Sequence, residues 1–348
     1  MNHSSPHFTD YLLWTIVAGL FGIASAMLVS RASDIANYWW QSDGQLALVY
    51  DQTRLKSKTT DKPRELKLGF VGDIMLGRAV ASSVNKNGQG NYDWLFTNVT
   101  SQLNSYDWLF GNLEGPISNR GQQAGSKFSF RFDPTTATSL ARAGFDVLSV
   151  ANNHIGDWGE MAFIDTLRYL DQLNIETIGV TERGAVITEK NGQRIAWLAF
   201  SDVGPSWLKN YRNDSAILLT NRPDFEKLIA SAAEKSNLTI VSFHFGEEYQ
   251  TTPNPRQRDL VERAMTAGAQ VVVGHHPHVR QPVEIYTTPA NENNRVVAYS
   301  LGNFIFDQYF SAQTMSGSLL ELTWDGEKIS NVKERTIKLN SHYQPQIQ

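Results

Sequence analysis

The chain has 348 residues and a mass of 39.0 kDa, enough for one large or two ordinary domains. Hydrophobic residues make up 41% and charged residues 19%, a balance that builds a packed globular protein and argues against disorder. The net charge of −4 excludes nucleic-acid binding by bulk charge. The absence of cysteine excludes disulfides, thiol catalysis, iron–sulfur clusters and Cys-ligated zinc.

Residues 1–10 form a short tail without Lys or Arg. Tyr11 to Ser30 (YLLWTIVAGLFGIASAMLVS) follows as 20 residues without a charge, bracketed by Asp10 and Arg31. As a helix this run spans about 30 Å, the thickness of a bilayer's hydrocarbon core, and it predicts a single-pass membrane anchor. The competing reading is a signal peptide cut after Ala24-Ser25-Ala26, but the basic flank of such peptides is missing and apolar residues continue past the cut. Residues 31–65 are polar and turn-rich, as expected of a tether. Residues 66–348 remain for one sizeable globular domain, expected outside the cytoplasm.

From Leu66 onward, short apolar runs end abruptly in Gly, Asn, Asp or His. Leu66 to Val71 leads into Gly72-Asp73, and Phe145 to Val150 into Ala151-Asn152-Asn153-His154. Leu238 to Phe243 leads into His244, Val271 to Val273 into Gly274-His275-His276-Pro277-His278, and Val296 to Leu301 into Gly302-Asn303. These runs are predicted as buried strands. Helices are predicted over Ala162–Leu173, from Pro223 to Lys235, and over Arg256–Ala267 with Gly268 as the stop. Tyr92 to Phe96 (YDWLF) recurs as Tyr106 to Phe110 fourteen residues later, and both copies are expected to start amphipathic helices. Lys127 to Phe132 alternates, which places its three Phe residues in the core and its cations in solvent. Ser318–Trp324, a two-residue turn at Asp325-Gly326 and Glu327–Leu339 predict a hairpin. The fold class is therefore α/β, a layered sandwich.

Open α/β sheets bind ligands beyond the carboxyl ends of their strands. That edge gathers Asp73, Asn153, His154, His244, the 275–278 histidines and Asn303, so that five of the eight histidines lie in three strand-end segments. Imidazole and carboxylate donors without thiolate suit zinc, manganese or iron, and a phosphate site is the related expectation. If the loop is extended, His276 and His278 face one side and His275 the other. Phe110 to Pro116 adds Asn112 and Glu114, the latter a second acid beside Asp73.

Six motifs taken in order carry a resemblance: Gly72-Asp73-Ile74-Met75-Leu76-Gly77-Arg78, Gly111-Asn112-Leu113-Glu114-Gly115-Pro116, Ala151-Asn152-Asn153-His154 with Asp157, His244 to Tyr249, Gly274 to Val279, and Ser300-Leu301-Gly302-Asn303-Phe304. Over about residues 66–310 the chain resembles the CapA family, the capsule and poly-γ-glutamate branch of the calcineurin-like metallophosphoesterases. The resemblance implies a four-layer α/β/β/α sandwich and a site for one or two divalent ions (Mn, Zn or Fe). Its ligands would be Asp73, Glu114, Asn153, His244, His276 and His278. It implies catalytic roles for His154, Asp157 and Arg78, and substrate contacts from Asn112, Asn152, His275, Glu248 and Asn303. A metal-activated water would then attack a phosphoester or acyl centre. The implied partners are a membrane, the capsule or poly-γ-glutamate synthesis machinery, and an anionic polymer or phosphoester substrate. Met75 stands where such phosphoesterases carry a histidine, Asn112-Leu113-Glu114 replaces a Gly-Asp-x-x-Asp pattern, and Ile155 follows His154 where an acid is common. These departures leave open a non-catalytic, polymer-binding or assembly subunit. A Rossmann dehydrogenase, a P-loop NTPase and a G-x-S-x-G hydrolase find no motif in the chain.

Overall fold

The computed structural model describes residues 64–204, 216–288 and 291–348. The predicted tail, the anchor at 11–30 and all but the last two residues of the tether lie outside them. Among the described residues no helix is long and apolar enough to cross a membrane. The first half of the described chain runs β1 (Leu66–Ile74), α1 (Arg78–Asn87), α2 (Asp93–Phe96), α3 (Thr100–Leu103), β2 (Trp108–Leu113), α4 (Thr135–Ala143), β3 (Val147–Ser149), α5 (Gly159–Asp171), β4 (Glu176–Ile178), β5 (Val186–Lys190) and β6 (Gln193–Ser201). It continues α6 (Phe225–Ala233), β7 (Leu238–His244), α7 (Pro255–Thr266), β8 (Val271–His275), β9 (Val283–Thr288), β10 (Asn291–Ala298), β11 (Asn303–Ile305), β12 (Ser316–Trp324), β13 (Ile329–Leu339) and β14 (Pro345–Ile347).

Two sheets result. One follows the order β14-β13-β12-β1-β2-β3-β4 with β11 paired to β1, and the other β5-β6-β7-β8-β10-β9. Strand β1 shows why they stack. Its residues alternate faces, and both faces are buried. Leu66, Leu68 and Phe70 pack against Trp197, Ile240 and Val271 of the second sheet, whereas Val71 packs against α1 to α4 through Val80, Phe96, Leu103 and Leu140. On the far side of the second sheet, Phe225 and Ile229 of α6 and Leu260 and Val261 of α7 cover Leu198, Val241 and Val272. A strand covered on both faces reads as a continuous apolar run, which is why β1, β7 and β8 are visible in the sequence.

Within each sheet the strands that matter are parallel: β1, β2 and β3 pair in parallel, as do β6, β7 and β8. Their carboxyl ends therefore fall on one edge. The chain crosses from β10 to β11 between the sheets, where the Gly274 carbonyl accepts from Leu301 N at 3.1 Å and the Gly302 carbonyl from Asp73 N at 2.9 Å. This approach is too close for side chains. A Cβ at Gly72 would lie 1.9 Å from the Gly302 oxygen, and one at Gly274 2.0 Å from the Tyr299 oxygen.

Four local expectations change. Tyr92 to Phe96 does yield the short helix α2, but the second copy becomes β2, because Trp108 to Leu113 extends the apolar run and is sandwiched between β1 and β3. The hairpin turn spans Asp325 to Lys328, since the Asp325 carboxylate accepts from the amides of Glu327 and Lys328 and delays β13 to Ile329. In the Lys127–Phe132 segment, Phe130 and Phe132 are buried but Phe128 is exposed: Phe132 pairs with Ile117 and the Phe130 ring packs on His154 and Phe306, whereas neither anchor reaches Phe128. Helix α7 starts at Pro255, capped by reciprocal bonds between Asn254 and Gln257.

Candidate functional site

The carboxyl edge brings a buried polar cluster together. Asp73 ends β1 fully buried, its Oδ1 accepting from Asn112 Nδ2 at 2.8 Å and its Oδ2 from His276 N at 3.2 Å. His278 Nδ1 stands 3.3 Å from Asp73 Oδ2 and 3.0 Å from Asn303 Oδ1. Asn152 donates from Nδ2 to Asn112 Oδ1 and to the Leu113 carbonyl, and its Oδ1 accepts from the amides of His154 and Ile155. His244 Nε2 lies 2.7 Å from Asn153 Oδ1, and its ring lies 4.7 Å from that of His276. Potential ligand atoms form two groups, in each of which the atoms lie within 4.8 Å of one another: Asp73, Glu114 and His244 in one, and Glu248, His276 and His278 in the other.

Both Glu114 carboxylate oxygens are buried without a hydrogen-bond partner, and so is His276 Nδ1. Buried polar atoms are almost always satisfied, so three orphans facing one cluster fit a cation that the donors would coordinate. All the ligands expected from the sequence meet here. Glu248, expected as a substrate contact, joins the potential ligand set instead.

Charge is partitioned within the cluster. Burial pushes the Glu114 carboxyl well above the usual carboxylate range, despite the nearby His278. His244 is held well below the ordinary imidazole value by burial and then by His276, and burial with His278 pushes His276 down to about 3. Burial alone would lower His278 too, but Glu114 and Asp73 outweigh it and hold it up at about 9. Burial would raise Asp73, yet the bond to His278 and the charges of His275 and His278 keep it below its ordinary value. His244 and His276 are thus neutral beside the Asp73 carboxylate, as a divalent metal requires of its donors, whereas His278 and Glu114 would each give up a proton on binding one.

His154 is set apart by its own partners. Its Nδ1 lies 2.7 Å from Asp157 Oδ2, and its Nε2 lies 3.9 Å from Glu114 Oε1. Asp157 is fully buried and also accepts from Ser126 Oγ and from the Phe130 amide. It therefore orients His154 instead of facing a substrate. The Phe130 ring stacks on the His154 ring at 4.0 Å, and the Arg78 guanidinium lies 5.3 Å over that same ring. Arg78 is tied to Asp307 at 3.2 Å, which places it on the rim and not among the reacting groups.

Three further placements differ from expectation. His275 is fully buried between the sheets, its Nδ1 3.3 Å from Ser242 Oγ and its Nε2 3.3 Å from the Val71 carbonyl, so it joins the sheets and does not contact a substrate. Asn303 is buried as well, donating to Gln308 and to the Thr314 carbonyl while its oxygen orients His278. His276 and His278 do converge, but their loop is turned and not extended, with φ of 99° and 57°. Phe130, Phe306, whose ring lies 4.6 Å from that of His278, and Asp307 also border the cluster, and no motif marks them. Asp307 sits four residues after Asn303, which was the only local signal for it.

The protein thus presents a buried carboxylate–imidazole cluster at the carboxyl edge of two stacked sheets. Residues 67–308 match the model of the bacterial capsule synthesis protein family PGA_cap, and the chain belongs to that family. It is 34% identical over 251 residues to the PGA biosynthesis protein CapA of Bacillus subtilis, covering 70% of this chain and 64% of that protein. It is 33% identical over 257 residues to the capsule biosynthesis protein CapA of Bacillus anthracis, covering 70% of this chain and 60% of that one. The match spans less than two thirds of either relative's length. A crystal structure of a hypothetical protein from Thermus thermophilus shares the fold at a TM-score of 0.50 and 13% identity, over 78% of this chain and 99% of that one.

Proposed function

We propose that this capsule-synthesis family member is a membrane-anchored, metal-dependent hydrolase of metallophosphoesterase type. On this reading it acts outside the cytoplasm on a phosphoester or related group in capsule or poly-γ-glutamate assembly. The observation that carries the reading is the set of orphaned buried donors, Glu114 Oε1 and Oε2 and His276 Nδ1, grouped with Asp73, His244 and His278. Those five residues, with Asn153 and Glu248, would hold one or two ions of manganese, zinc or iron. A divalent ion there supplies Lewis acidity and neutralises charge developing on an oxygen. Asn112 and Asn152 fix the Asp73 carboxylate and the loop that carries His154. Asp157 holds His154 Nδ1, which leaves Nε2 to give or take a proton at the substrate. The Phe130 face keeps water from one side of that imidazole.

The alternative, a subunit that binds polymer without turnover, is favoured by one observation. Met75 is buried in the core, and its sulfur accepts from the Gly77 amide at 3.2 Å, so the position offers no imidazole to an ion. The deciding experiment measures metal content of the full chain and its hydrolysis of aryl phosphate mono- and diesters with Mn²⁺ or Zn²⁺. A hydrolase loses about 10²–10⁴ in kcat on His154→Ala with its metal retained. A metal-loaded protein that turns over none of the panel would move the assignment to the binding subunit.

A further inference from the structure

Among the described residues, three exposed aromatic rings stand on loops near the site. Phe128, in the loop after β2, is 56% exposed; Tyr249, after β7, is 40% exposed; Phe310, after β11, is 62% exposed. Three separate loops thus each carry an exposed ring. Tyr249 stands 6.3 Å from the His278 ring and 5.2 Å, edge to face, from Phe310. The Arg78 guanidinium lies 6.0 Å from the Phe128 ring and 5.3 Å from Phe130, which stacks on His154.

The Tyr249 ring is held in place. Tyr249 keeps a left-handed backbone, φ 64°, that a bulky residue adopts only when its surroundings impose it, and its amide donates to the Pro277 carbonyl at 2.8 Å. Gln308 donates to the Tyr249 hydroxyl at 3.2 Å and accepts from Asn303, which orients His278. The aromatic wall and the buried cluster are therefore coupled through Gln308 and Asn303. The cations Arg78 and Lys127 lie beside Phe128, the latter 5.3 Å from its ring. Apolar surfaces for a ligand's body with a few polar groups fixing its charged end are the general form of a small-molecule site.

We propose that Phe128, Tyr249 and Phe310 form a ring-stacking subsite, so that the group entering the buried cluster is an anion carried on a flat-faced ring, a sugar or an aryl group. An unbranched alkyl or peptide chain would leave these faces uncovered. This rests on the reading that the cluster takes a phosphoryl-type anion.

The test is equilibrium binding of non-hydrolysable phosphonates to the full chain with Mn²⁺. Phenylphosphonate and a pyranosyl-methylphosphonate are compared with methylphosphonate. At least one ring-bearing probe is expected to bind about tenfold more tightly than methylphosphonate, and which one does so distinguishes the two ring sources. Phe128→Ala and Phe310→Ala should each shrink that ratio several-fold, and Phe310→Tyr should preserve it; both rings are exposed, so the melting temperature serves as a folding check. Equal affinity for all three probes, or a ratio unmoved by both alanine variants, overturns the subsite while the anion site stands. Failure of every probe to bind overturns both.

Discussion

Replacing Glu114 by Gln should make the metal-free protein more stable and the metal-loaded protein poorer. Both carboxylate oxygens of Glu114 are buried without a hydrogen bond, and the nearest imidazole nitrogens, His278 Nε2 and His154 Nε2, stand 3.7 and 3.9 Å away. A buried polar group left without a partner costs about 1–3 kcal/mol, and more if charged. The amide keeps the shape, cannot ionise and is a weak metal ligand. Gln would be just as unpaired and removes only the cost of burying the charge, so in EDTA the variant should gain on the order of 1 kcal/mol, and only where the pH is high enough to ionise Glu114, or about 2–4 °C in Tm per kcal/mol for a domain of this size. With Mn²⁺ at 100 times its Kd the wild type gains about 2.7 kcal/mol by mass action, and the variant much less, so the order closes or reverses. Thermal melts of both proteins over a Mn²⁺ series read both effects. A Gln variant less stable than wild type in EDTA would refute the claim that Glu114 is a strained donor. One that gains as much from Mn²⁺ would refute its role as a ligand.

Other consequences concern proton handling and pH. Asp157→Asn should lower kcat in the same direction as His154→Ala while metal content stays constant, because it replaces the carboxylate that fixes His154 Nδ1 with a neutral amide that no longer enforces one tautomer; wild-type turnover in this variant would contradict the orienting role. Asp146, on the opposite edge, accepts from Leu109 N at 2.8 Å, and burial pushes its carboxyl up to about 6. Protonation therefore favours the fold: this contribution is complete below the unfolded value near 4 and is lost as pH rises through about 6. Asp146→Asn keeps the acceptor and should be the more stable protein above pH 6, by up to about 3 kcal/mol, with the gap vanishing below pH 4 in denaturant titrations. A pH-independent gap would disprove the assignment.

Much of the architecture was legible because burial on both faces leaves a local mark. The runs ending at Asp73, His244 and His275 are strands of two stacked sheets, and their polar terminators lie on one edge, as the rule for open α/β sheets requires. The repeated YDWLF motif was misleading because its two copies share local chemistry but not neighbours. Between β1 and β3 the second copy is drawn into a sheet, an override that pattern cannot foresee.

The residue types and chain order already marked the side chains that the packing gathers into one cluster: Asp73, Glu114, Asn153, His154, His244, His276 and His278. Period-two and helical patterns, with the breaks that follow them, are properties of neighbours in sequence. Which of these groups face one another depended on strand register and on the crossing of residues 299–305 between the sheets. Only that packing turned His275 into a tie between the sheets, set Asp157 behind His154, left Glu114 without a partner and set Tyr249 against Phe310 beside His278. The contact of His278 with Asp73 joins residues about two hundred positions apart. No local periodicity encodes such a meeting, because the free energy that enforces it comes from burying whole faces of two sheets against each other.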